Sequence, residues 1–72
     1  MTLKEMKSGE QGKIVSVGEK GQMRRRIMDM GVTPGAEVKV VKVAPLGDPI
    51  EVTIRGYELS LRKEEAKQIV VE

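Results

Sequence analysis

Neither cysteine nor histidine occurs in these 72 residues, and phenylalanine and tryptophan are missing as well. Without cysteine there is no disulfide framework and no thiolate metal site. Without histidine the chain lacks the commonest transition-metal ligand and the usual general base. A single tyrosine leaves almost no platform on which nucleic-acid bases could stack. No apolar run approaches the roughly 20 residues that cross a bilayer, and the opening MTLKEMKSGE lacks the apolar stretch of a signal peptide. The expectation is therefore a soluble, cytoplasmic chain. Charge of one sign is also scarce: 13 basic and 11 acidic residues leave a net +2, too balanced to predict nucleic-acid binding by itself. These absences argue against an enzyme, and no motif asks for a cofactor.

What remains is a chain long enough for one domain, residues 1–72, near the lower limit of what folds without metals or disulfides. Its organising stretch is Gly31 to Arg62. Glu37–Val43, Ile50–Ile54 and Tyr57–Leu61 alternate apolar and polar residues, as strands with one wet face require. Ile50, Val52 and Ile54 form one dry row, and Tyr57, Leu59 and Leu61 are expected to form another. In the first of these strands the alternation breaks between Val40 and Val41, which predicts a β-bulge or sharp bend of the kind that closes small barrels.

The connections carry their own chemistry. Val32-Thr33-Pro34-Gly35 carries a turn, with Pro34 presetting φ at turn position i+1 and Gly35 accepting a positive φ at i+2. Ala44-Pro45-Leu46-Gly47-Asp48-Pro49 is a longer hairpin loop, and Arg55-Gly56 a two-residue one. Upstream, Thr2-Leu3-Lys4-Glu5 matches a capping box, and Ser8-Gly9 stops whatever helix it starts, so one turn should carry Leu3 and Met6 inward. Lys13–Val17 reads as a first strand. Gln22–Met30 reads as a helix whose Met23, Ile27 and Met30 share an apolar face, with Arg25, Met28 and Asp29 turned away. Gly31 is placed to end it in a left-handed conformation. Arg62–Lys67 is a helical turn with Ala66 inward, and Ile69-Val70-Val71 a last strand. The fold class is mainly β: a small SH3-like barrel of about five strands, one short helix after the first strand and a one-turn helix before the last.

At this point three motifs in register resemble the FeoA family: Arg26-Ile27-Met28-Asp29-Met30-Gly31-Val32-Thr33-Pro34-Gly35, Ala44-Pro45-Leu46-Gly47-Asp48-Pro49, and Arg55-Gly56-Tyr57-Glu58-Leu59-Ser60-Leu61-Arg62. The likeness runs from Leu3 to the terminal Ile-Val-Val, with mild departures at Met6, where leucine is usual, and Ser60, where alanine is common. The resemblance implies an accessory protein of bacterial ferrous-iron uptake that acts on the cytoplasmic part of the membrane transporter FeoB, and so sits at the inner membrane when bound. A similar fold forms a C-terminal module of iron-dependent repressors, but this chain carries no helix-turn-helix segment to accompany one.

Candidate contact residues follow from exposure and loop chemistry. Arg24 and Arg25 could meet an acidic partner, or Arg25 could simply pair with Asp29 one helical turn away. Met28 suits an adaptable contact. Leu46, Gly47 and Asp48 lie on a rigid Pro-flanked loop, the kind of place where function concentrates, although Leu46 could equally fold back to plug the barrel. Asp29, Asp48, Glu64 and Glu65 are the oxygen donors to weigh for a metal. Glu64 and Glu65 diverge by about 100° on their helical turn, so the expectation is no metal site and solvated acids. The alternative function is a nucleic-acid-binding barrel using Arg24–Arg26, Lys39 and Lys42 for phosphates. An open sheet edge would invite strand addition or self-pairing, so a homo-oligomer is compatible with the sequence, which does not fix one.

Overall fold

The computed structural model describes all residues, Met1–Glu72. A single 3₁₀ turn, Leu3–Glu5, precedes β1 (Gln11–Val17), α1 (Gln22–Asp29), β2 (Glu37–Val43), β3 (Ile50–Ile54), β4 (Tyr57–Leu61), α2 (Lys63–Ala66) and β5 (Ile69–Val71). The strands form one antiparallel sheet in the order β4-β3-β2-β1-β5. It curls around a core of 16 buried side chains, among them Leu3, Ile14, Ile27, Val40, Val52, Leu61 and Ile69. The core is wholly aliphatic, and its branched Val and Ile suit a pleated surface.

Register explains the curl. Val40 faces Val52, but the next pairing is Lys42 with Glu51, so Val41 is the extra residue of a bulge and its side chain is exposed. This is the bend expected from the broken alternation. A second irregularity lies in β1, where Ile14 faces Val71 and Ser16 faces Val70, leaving Val15 outward. Such bulges sharpen the twist that rolls a short sheet into a barrel. The free side of β5 is covered by the start of the chain: Thr2 bridges Val70, and Val71 N–H donates to the Met1 carbonyl at 2.8 Å.

Turn chemistry holds as read. Ala36 N–H donates to Thr33 O at 3.1 Å, with Pro34 and Gly35 (φ +91°) as the central pair. Gly31 (φ +95°) terminates α1, and Val32 N–H reaches back to Ile27 O, the long bond of a Schellman ending, while the Val32 side chain enters the core. At the N-terminus Glu5 accepts from the Thr2 backbone N–H at 2.6 Å and from its hydroxyl at 3.2 Å. These two bonds, the backbone one foremost, hold the Glu5 carboxyl below its ordinary 4.5.

Three readings need correction. In α1 the core-facing side is Ile27 with the half-buried Met28 and Met30, while Met23 is exposed. The helix meets the barrel only with its C-terminal half, where the Schellman ending ties it down. Met28 is thereby drawn under, and Met23 in the first turn is left exposed. Tyr57 is also outward rather than in the dry row of β4, because its hydroxyl donates to the Met30 carbonyl across the end of α1. Finally, Glu65 is not a solvated acid: it is 5% exposed, the one charged residue in the interior.

Candidate functional site

α1 is preceded at its capping position by Gly21, which offers no side chain to cap the helix, and no acid lies in its first turn. Around it lies a cleft of about 440 Å³ lined by Lys20, Gly21, Arg24, Arg25, Met28 and Asp29. Three of the sequence-predicted contact residues, Arg24, Arg25 and Met28, thus come together. Met28 packs against the core beneath. Arg24 is half-buried, with its Nε out of solvent and without a hydrogen-bond partner. The anticipated pairing of Arg25 with Asp29 does not form, since the two salt bridges of the fold involve neither residue.

The chain has five arginines, and the other three are committed internally. Arg26 Nη2 lies 2.7 Å from Glu65 Oε2. Arg55 donates from Nε to the Gly31 carbonyl at 3.0 Å and from Nη2 to the Thr33 hydroxyl. Arg62 Nη1 is 3.9 Å from Asp48 Oδ2. Arg55 itself sits at φ +51° in the two-residue turn with Gly56, a strained position for a side-chain-bearing residue that its two bonds help to hold.

The second group of predicted contacts lies on the β2–β3 loop. Gly47 N–H donates to Ala44 O at 2.7 Å, making a turn around Pro45 and Leu46, and Ala44 N–H to Pro49 O at 3.1 Å closes the loop. Leu46 does not plug the barrel: it stands 88% exposed at the tip. Asp48 is used within the chain, where its Oδ1 accepts from Lys63 N–H at 3.1 Å, at the first residue of α2. A carboxylate at that position suits the positive end of the helix.

α2 is therefore the bridge between the two groups. Its start is held by Asp48 of the loop. Its Glu65 accepts from Arg62 N–H at 2.8 Å through Oε1 and meets Arg26 of α1 through Oε2. Sequence reasoning missed this tie, because Arg26 and Glu65 are 39 positions apart. A faint local signal existed: Glu65 stands three residues after the helix-capping position, half of a capping box whose other half is arginine rather than serine or threonine.

A further groove of about 510 Å³ runs across the outer face of β1, β2 and β3, with Lys13, Glu37, Lys39 and Arg55 along it. Lys39 thus lines a different groove from Arg24 and Arg25, and Arg26 is paired with Glu65. No three acidic side chains converge on a point that could hold a metal ion.

The fold is thus an aliphatic five-stranded barrel with one basic cleft and one bare apolar loop tip. The FeoA domain family matches this chain over residues 1–72. It is 44% identical over its whole length to part of the Fe(2+) transport protein A/Fe(2+) transporter FeoB fusion protein of Porphyromonas gingivalis, of which it spans 8%. Among solved structures it is similar to the FeoA-like protein of Clostridium acetobutylicum (44% identity, 100% of this chain and 84% of that one, TM-score 0.93). It is likewise similar to Stenotrophomonas maltophilia FeoA complexed with zinc, described as a procaryotic SH3 domain protein (32% identity, 100% of this chain and 89% of that one, TM-score 0.86). The chain belongs to the FeoA family and has an SH3-like fold.

Proposed function

We propose that this protein is an accessory factor of ferrous-iron uptake that docks on the cytoplasmic part of FeoB. The observation that carries the reading is the Porphyromonas gingivalis fusion, in which a domain 44% identical to this whole chain is joined to the transporter in one polypeptide. Fusion holds two partners at high effective concentration, which suits domains that work in contact. The docking surface comprises the α1 cleft with Arg24, Arg25 and Met28, and the loop tip with Leu46 and Gly47. An apolar side chain on a braced loop is a suitable anchor for a pocket in a partner. Asp48 contributes by bracing the loop against α2.

The test is co-purification of this chain with the FeoB of the same organism from membranes, with and without guanine nucleotide. Retention on the transporter is the expected result. No association under any nucleotide condition overturns the proposal.

A further inference from the structure

Resting on that docking reading, we infer that the α1 cleft receives an acidic segment of the partner protein, whose carboxylates bind Arg24, Arg25 and Lys20. Among the five arginines, the two whose side chains form no bond inside the chain are neighbours, and they share one cleft. Three cations and one carboxylate, Asp29, line it. Its volume of about 440 Å³ lies within the roughly 300–1,000 Å³ of ordinary ligand clefts.

Arginine forks match carboxylates two bonds at a time, which gives such a segment a defined orientation as well as attraction. Arg24 is the stronger of the pair. It is half-buried over a helix face that packs on the apolar core, and its covered Nε shows that the side chain is already partly stripped of water. A charge in that state gains more from an opposite charge than a freely hydrated one does. Met28 supplies an apolar floor beneath the carboxylate stems.

The same arrangement disfavours nucleic acid as the occupant. Asp29 interrupts what would have to be a run of phosphate contacts. Lys39 lines a different groove, and the one tyrosine, whose hydroxyl is bonded to the Met30 carbonyl, offers little for stacking.

The probe is a short glutamate-rich peptide titrated into the isotope-labelled chain, with a lysine-for-glutamate peptide as control. Amide shifts are expected across Lys20–Asp29 with the acidic peptide only. Binding should weaken severalfold between about 50 and about 500 mM salt, since exposed charges are screened over that range. Arg25→Glu, at an exposed position that does not risk the fold, and Arg24→Glu should each weaken it by roughly two- to tenfold. Lys39→Gln, in the separate groove on the sheet face, should leave peptide binding unchanged. In parallel, an Arg24→Glu/Arg25→Glu double variant is taken through the FeoB co-purification. Retention of FeoB by that variant, with salt-insensitive association, overturns the inference while leaving docking intact. Loss of FeoB from the unsubstituted chain overturns docking, and the peptide titration then decides the cleft on its own. Shifts that arise elsewhere, or a single-stranded RNA oligonucleotide that outcompetes the peptide at the cleft, also overturn it.

Discussion

Arg26 and Glu65, 2.7 Å apart, join the two helices of this domain through a pair that is exposed at one end and sealed at the other. The Glu65 side chain is 6% accessible and that of Arg26 65%. Glu65 also accepts the Arg62 N–H that opens α2, so one carboxylate holds a helix start and a neighbouring helix together. Removing Arg26 leaves that carboxylate buried with a single backbone donor. Because Arg26 is largely in water, the cost of Arg26→Ala should be about 1–2 kcal/mol rather than the roughly 3–5 of a fully buried pair. Glu65→Ala loses both bonds and should cost about 2–3 kcal/mol. Urea unfolding of the single and double variants measures this, with a coupling near 1 kcal/mol expected; additive effects would show that the pair is incidental.

Gly31 and Gly35 are both at positive φ, near +95° and +91°, yet they should respond differently to alanine. At Gly35 nothing lies within 4 Å of an added methyl group, so only the backbone resists, at about 1 kcal/mol. At Gly31 the methyl would collide with the Tyr57 hydroxyl and approach the Arg55 side chain at 3.5 Å. Gly31→Ala should therefore cost at least about 2 kcal/mol, and break the bond from Tyr57 to the Met30 carbonyl as well. Thermal melts of the two variants side by side decide it; equal losses would mean that the tyrosine moves aside freely.

The Gly31 environment shows what was legible in the sequence. The left-handed helix ending, the Pro34-Gly35 turn, the bulge at Val41 and the two-residue Arg55-Gly56 hairpin all follow from local rules, because each is fixed by the φ preference or the alternation of residues adjacent in the chain. The order of the elements gives the small SH3-like barrel, and the family resemblance agrees with it. Tertiary choices were not legible. A wheel drawn on Gln22–Met30 puts Met23 inside and Met28 outside, whereas the barrel accepts only the helix's last turns and reverses them. Arg24 and Arg25 could be named as contacts, but only the commitment of Arg26, Arg55 and Arg62 to distant partners shows that these two are the arginines left over. The hidden charge of Glu65 had only the faint signal of half a capping box, in an acidic-basic stretch that reads as surface.

Glu5 ties stability to pH. Its folded pKa is lowered by the bonds from Thr2, so the unfolded chain takes up a proton first as the solution is acidified. The stabilisation is complete above the ordinary 4.5 and is lost as pH falls through the lower folded value. Denaturation between pH 6 and 3 should show this loss in the native chain and a flatter profile in Glu5→Gln. A side-chain NMR titration of Glu5 should give a midpoint below 4.5. A midpoint at or above that value would remove the capping box as a source of acid sensitivity.

Leu46 separates folding from docking. At 88% exposure it touches little of its own chain, and the loop beneath it is held by backbone bonds at Ala44 and Gly47 and by Asp48 on α2. Leu46→Asp should therefore change unfolding free energy by no more than about 0.5 kcal/mol. An anchor residue inserted in a partner's pocket, by contrast, costs upwards of about 2 kcal/mol when made polar, some thirtyfold in affinity. Asp48→Ala is the informative companion: it leaves Leu46 in place but frees the loop from α2, so it should weaken docking less than Leu46→Asp and stability more. The two variants are compared by urea unfolding and by retention on FeoB. If Leu46→Asp binds the transporter as tightly as the unsubstituted chain, the loop tip is a bystander and the α1 cleft alone must account for docking.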